Sequence, residues 1–166
     1  MFIIFNLCSA KPFFYKKWHN ANKVFDYGYY INTITLPCFN YFSPAEDIFY
    51  VNNVKIVTND IYNLLTPIAL AFWIMDDASY HIRDKLLVLC TDSFTHSDVL
   101  RLMIVLEKKF KLNCIIEWKG TNLRIVIKAT SMYRLKILVQ DHIHHSMMYK
   151  LGLPNNKLLA IKSPNN

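Results

Sequence analysis

The 166-residue sequence predicts an α+β domain with the element order αββαββα. Three observations predict it. Thr66-Pro67 opens a long apolar segment with a cap-plus-proline helix start. Thr95 and Asp98 form a capping-box pair ahead of Val99, Leu102, Met103, Leu106 and Phe110, which recur at i, i+3, i+4 spacing. Leu123, Ile125 and Ile127 alternate with Arg124, Val126 and Lys128, the period-two pattern of a strand with one face buried.

Residues 1–57 carry the weakest periodicity. Val24–Leu36 is rich in Tyr, Ile, Thr and Val and stops at Pro37, as a strand would. Ser43-Pro44 offers an N-cap and a first-turn proline for a short helix before Tyr50. Asn52-Asn53 reads as a turn, and Thr58 can cap a short helix over Asn59–Leu65. The next helix runs from Pro67 to Asp77. Ile68, Leu70, Ala71, Phe72, Trp73, Ile74 and Met75 leave it no polar side. A helix apolar all round is buried all round, so it must pack on its own domain and on something else.

Ser79–Ile82 and Leu86–Cys90 are short strands joined by Arg83-Asp84-Lys85. The helix capped by Thr95 ends at about Phe110. Leu112–Trp118 and Leu123–Lys128 then flank the turn Lys119-Gly120-Thr121-Asn122. Ser131–Gln140 is the last helix, with Met132, Leu135 and Leu138 inward.

Composition narrows the function classes. Hydrophobic residues make up 53%, which excludes a disordered chain. Only 3 Gly are present, which argues against a loop-built phosphate cradle. The net charge of +7 suits a polyanionic partner. Residues 37–78 run against that trend, with Glu46, Asp47, Asp60, Asp76 and Asp77 facing Lys55 alone. An acidic block inside a basic chain points to a cation site within an anion-binding surface. Lys far outnumbers Arg, and Ile, Asn, Phe and Tyr are abundant, a pattern that A/T-rich coding sequence produces. Cys8, Cys38, Cys90 and Cys114 are too far apart for a zinc clip and read as small buried hydrophobes. The apolar run Pro67–Met75 is roughly half of the ~20 residues that span a bilayer, so no membrane partner is expected. The apolar start lacks the positive region of a signal peptide.

Asp76 and Asp77 close the apolar helix. Carboxylates at a helix C-terminus are unfavourable by roughly 0.3–1 kcal/mol each, so the pair reads either as a solvated helix end or as a cation site. Mg²⁺ is the fitting cation, because it is bound through one or two carboxylates plus phosphate oxygens. Lys128 and Arg124 share the outward strand face. A lysine near such a metal site can stabilise developing charge, although alone it reads as a surface residue. His142 and His144 do not converge on a helix, and Tyr149-Lys150 reads equally as a phosphate contact or as ordinary surface.

Leu70-Ala71-Phe72-Trp73-Ile74-Met75-Asp76-Asp77-Ala78 resembles the LAGLIDADG motif of homing endonucleases. Leu64-Leu65-Thr66-Pro67 before it is similar to the mitochondrial intron-encoded branch. So are Leu89–Thr95, Arg124–Lys128, Ser131-Met132 and Ser146–Leu151, in that order after it. The resemblance implies the αββαββα half-fold, with a saddle-shaped antiparallel sheet lying in the major groove of double-stranded DNA. It assigns Asp77 as metal-binding acid with Asp76 beside it, Lys128 as active-site lysine, Asp92 as the polar residue that orders water, and Mg²⁺ as cofactor. Arg83, Lys85, Lys119, Arg124 and Lys128 become nucleic-acid contacts. Ala69, Phe72 and Trp73 become the interface with a second motif helix.

Two departures accompany it. Ala78 stands where the family has Gly, and a positive φ there would cost of order 1 kcal/mol. Only one motif is present, so the chain resembles the C-terminal portion of a two-motif enzyme. Residues 1–57 are then a first-half remnant plus linker, 58–151 the motif domain and 152–166 a tail. The expected function is Mg²⁺-dependent, site-specific cutting of an intron-insertion sequence in mitochondria, with a second half supplied by another copy or by a missing N-terminal half. An intron-RNA maturase on the same fold is the alternative.

Overall fold

The computed structural model describes residues 11, 13–19, 23–30, 32 and 48–154. The chain divides into two compact units, Met1–Asp47 and Ile48–Asn166. In the first, β1 (Phe13–His19) pairs antiparallel with β2 (Val24–Tyr30). Its cross-strand aromatic pairs include Trp18 with Phe25, ring centroids 4.6 Å apart, and the Lys16 ammonium lies 3.9 Å from the Phe25 ring centroid. The expected strand to Leu36 is described only as far as Tyr30, and the Ser43-Pro44 helix start lies outside the described residues.

The second unit opens with the two-residue strands β3 (Tyr50–Val51) and β4 (Val54–Lys55), turned by Asn52 and Asn53 at positive φ. Next come α1 (Ile61–Leu64), α2 (Pro67–Asp77), β5 (Ala78–His81), β6 (Leu86–Cys90), α3 (His96–Phe110), β7 (Cys114–Lys119), β8 (Asn122–Ile127) and α4 (Met132–Val139). From α2 onward the order is αββαββα, as the sequence predicts. The four strands form one antiparallel sheet in the order β5-β6-β8-β7.

One face of the sheet carries the core. Leu87, Leu89, Ile125 and Ile127 have no exposed surface, and Leu70, Ala71 and Ile74 of α2, Val99 and Leu106 of α3 and Leu135 of α4 are equally closed. The opposite face carries Ser79, His81, Arg124, Glu117 and Lys119. At its centre the cross-strand pair Val88 and Val126 is buried by its neighbours outside the core cluster. Val126 therefore faces outward, as its alternation predicts, without being exposed.

Thr66 caps α2 by accepting the Ala69 amide at 3.2 Å, with Pro67 at the first position. Thr95 caps α3: its hydroxyl accepts the Asp98 amide at 3.3 Å and donates to the Asp98 carboxylate at 2.7 Å. The other Asp98 oxygen accepts the Val57 amide at 3.3 Å and Arg101 at 3.2 Å, while Arg101 also donates to the Val57 carbonyl. Val57 is itself core, 3% exposed. This clasp ties Val57 to α3 within the second unit, which begins at Ile48. The helix placed over Asn59–Leu65 is shorter than expected. It begins after Asp60, and Thr58 only accepts the Asp60 amide at 3.4 Å.

After α4 the chain makes two 3-10 segments, Gln140–His142 and His145–Leu151. Gly152 ends the second at φ 68°, and a Cβ there would meet the Tyr80 ring at 2.3 Å. Among the described residues no helix is long and apolar enough to cross a membrane. Gly152→Ala combines a left-handed backbone with that clash, and is expected to cost about 1–3 kcal/mol in urea unfolding. A loss under a few tenths would show that the C-terminal turn repacks freely.

Candidate functional site

The site is built on α2. Leu70, Ala71 and Ile74 seat one side of it on the core. The other side is uncovered: Ile68 is 50% and Phe72 63% exposed, while Ala69 and Trp73 are half-buried. Helical spacing makes Ile68–Phe72–Asp76 one row and Ala69–Trp73–Asp77 the next. The two exposed carboxylates thus extend the two apolar rows that the helix leaves open. The expected interface residues Ala69, Phe72 and Trp73 lie on these rows. Alongside runs a groove of about 620 Å³, lined by Phe49, Lys55, Phe72, Trp73, Met147 and both acids, among others.

α2 passes into β5 with no loop. Ala78 is both its C-cap and the first strand residue, at φ −87° and ψ 153°. That is ordinary extended backbone, so the cost expected for a side chain in the glycine position does not arise. Ala78 is instead buried in the core.

The Lys150 ammonium donates to the Asp76 carbonyl at 3.2 Å. It brings positive charge to the negative end of the helix that carries both acids. The strand register then sorts the remaining residues. Ala78 pairs with Leu89 and Cys90 with Arg124, so Arg124 lies at the Asp77 end of the sheet. There the Arg124 guanidinium grips Asp92 with both arms, Nε at 2.8 Å and the terminal nitrogen at 2.6 Å. The pair is fork-to-fork, the strongest carboxylate geometry. Held first by that bond, and also by a hydrogen bond from Cys90, the Asp92 carboxyl is lowered to about 2.

Lys128 sits elsewhere. It follows Ile127, whose partner Leu87 pairs with Tyr80 next to the β5–β6 turn. Four residues of strand and two strand spacings, about 13 and 10 Å, separate its backbone from that of Asp77. The strand end therefore groups Lys128 with Arg83 and Lys85 rather than with the acids. Lys119 closes the β7–β8 turn at the Arg124 end. Lys128, expected beside the acids, is thus placed away from them, whereas the Lys150 ammonium, read from the sequence as a phosphate contact or ordinary surface, lies at the helix end that carries them.

The chain matches the family model of the LAGLIDADG DNA endonuclease family over residues 2–135. It belongs to that family. It is 35% identical over 118 residues to the intron-encoded endonuclease ai4 of Dictyostelium discoideum, covering 69% of this chain and 73% of that protein. It is 34% identical over 116 residues to the cytochrome b mRNA maturase bI2 of Debaryomyces hansenii, of which it spans 44%, with 69% of this chain aligned. A solved structure of the homing endonuclease I-WcaI bound to its DNA recognition sequence superposes with TM-score 0.78 at 26% identity, covering 90% of this chain and 67% of that one. The αββαββα arrangement is thus the LAGLIDADG fold.

Among the described residues no cluster of three or more His, Cys, Asp or Glu could hold a metal. The LAGLIDADG acids Asp76 and Asp77 suit a hard cation that completes its shell with water and phosphate oxygens, as Mg²⁺ does.

The Arg124–Asp92 bond yields a titration test. A lowered carboxyl contributes stability above its ordinary value of 3.8, and that contribution is lost as pH falls through about 2. Arg124→Gln should therefore raise the Asp92 midpoint toward 3.8 in carboxyl-carbon NMR. An unchanged midpoint would mean that the pair does not form in solution.

Proposed function

We propose that the chain is one half of a site-specific DNA endonuclease, which binds duplex DNA on the helix-free face of its sheet. The observation that carries this reading is the pair of open rows on α2, each ending in an exposed acid. A second motif helix laid on those rows buries Ile68 and Phe72, each contributing roughly 1.5–3 kcal/mol, and sets two acidic pairs side by side. That second half is another copy of this chain or a separate first half. The intron-encoded relatives support a mitochondrial origin.

In the cutting reaction Asp77, with Asp76 beside it, would hold Mg²⁺, which would supply Lewis-acid stabilisation of the charge that develops on the phosphate. Lys150 donates to a phosphate oxygen or to the attacking water from its place at the helix end. Asp92 stays ionised throughout the working pH range and accepts a hydrogen bond from ordered water. Arg124 holds Asp92 in place and presents its remaining N–H groups to the backbone. Arg83, Lys85 and Lys128 at one end of the strand face, and Lys119 at the other, meet flanking phosphates.

A second reading rests on the maturase relatives: the same fold binding its own intron RNA. A splicing assay with Asp77→Asn separates the two, since RNA binding survives loss of the metal acid and cutting does not.

The direct assay is Mg²⁺-dependent cutting of a duplex carrying the intron-insertion sequence. Asp77→Asn should slow it at least about a hundredfold with duplex binding retained. Absence of cutting at any Mg²⁺ concentration, by folded and assembled protein, removes the catalytic claim. Phe72→Glu should abolish association and cutting together, read by sedimentation. Duplex affinity should fall with salt at a log–log slope near −3 per subunit, from three or four phosphate contacts. A flat dependence means the strand face is not the binding surface.

A further inference from the structure

A second groove, of about 540 Å³, lies between the C-terminal end of α3 and the exposed side of α4. Its lining includes Lys109, Lys111, Thr130, Tyr133, Arg134 and Ile137, with no carboxylate, and none of these has been given a role in DNA cutting. Tyr133 is 77% exposed and Ile137 57%, one turn apart on α4. A flat aromatic beside an aliphatic side chain is thus offered to solvent among cations.

The cations differ in their freedom. Lys109 is committed, donating to the Tyr62 and Asn63 carbonyls and lying 5.8 Å from the Phe110 ring centroid. Lys111 ends α3 in the left-handed conformation, φ 57° and ψ 40°, and is exposed. Arg134 is exposed, and among the described residues neither it nor Lys111 has an acid partner. Two cations without an acid partner, lining the same groove as an open aromatic ring, match a phosphate backbone with an unstacked base. A duplex offers the phosphates but keeps its base faces stacked, whereas RNA loops and single strands present both.

We infer that the α3–α4 groove binds an unpaired RNA segment, with a base stacked on Tyr133 and its flanking phosphates on Lys111 and Arg134. This assignment rests on the RNA reading above, and its test is arranged so that the two can fail separately. The full chain is titrated against a fluorescein-labelled, unstructured 20-nucleotide RNA, the DNA strand of the same sequence, and a DNA duplex, by anisotropy at several salt concentrations. Lys111→Gln/Arg134→Gln should weaken RNA binding about tenfold and flatten its salt slope by about 1.4, the share of two single-strand phosphates. Tyr133→Ala should weaken it about tenfold, and Tyr133→Phe less than twofold, because the stacking surface survives. Duplex affinity should not change in any variant.

These side chains are exposed, so melting temperatures should stay within a few degrees. The double variant serves if Tyr133→Ala does not fold. If the parent binds this RNA no better than the duplex, both the RNA reading and this site fall. If RNA binds but all the variants match the parent, the site falls alone. Equal losses for RNA and duplex make the groove a general polyanion surface and overturn the assignment. A DNA strand bound here as tightly as the RNA overturns it too.

Discussion

The direct run of α2 into β5 fixes the geometry of the LAGLIDADG domain. Leu70, Ala71 and Ile74 lock the helix to the core, and Ala78 locks the first strand to Leu89. Asp76 and Asp77 sit at the corner between two anchored elements, with no loop to absorb movement. Acidic residues at a helix C-terminus oppose the peptide dipoles. The Lys150 ammonium at the Asp76 carbonyl offsets part of that opposition, and it does so at the place where the proposed chemistry needs a cation.

The outward strand face is organised as two ends around a buried valine pair. At the Asp77 end, Arg124 and Asp92 neutralise one another in a rigid fork, with Lys119 nearby. At the far end, Arg83, Lys85 and Lys128 gather beside the β5–β6 turn, where Arg83 is engaged with Asp84 at 3.2 Å. Charge on this face is therefore uneven: exposed cations lie outermost, and a paired, oriented guanidinium stands at the sheet end that carries the acids.

The elements that local chemistry dictates were legible in the sequence. Thr66-Pro67, the Thr95–Asp98 box and the alternation around Arg124 each act within a few residues, and each forms as read. What escaped depends on contacts between distant segments. Lys150 reaches Asp76 across 74 positions, which no periodicity encodes. Lys128 ends a strand, and which end of a sheet a strand end meets is decided by register, not by the strand's own residues. Val57 is held by Asp98, 41 positions away, which its own neighbours in sequence do not announce. A helix apolar all round needs two partners, and among the described residues the fold supplies one of them.

That uncovered side of α2 also has a bearing on dosage. Where the second half is another copy, complete sites form by mass action, and at concentrations well below the dissociation constant their number follows the square of the chain concentration. A twofold fall in expression then removes about three quarters of the assembled sites. Under the proposed self-association, few copies would leave the cutting sites mostly unassembled, and exposure of the target to cutting would rise steeply only when expression rises.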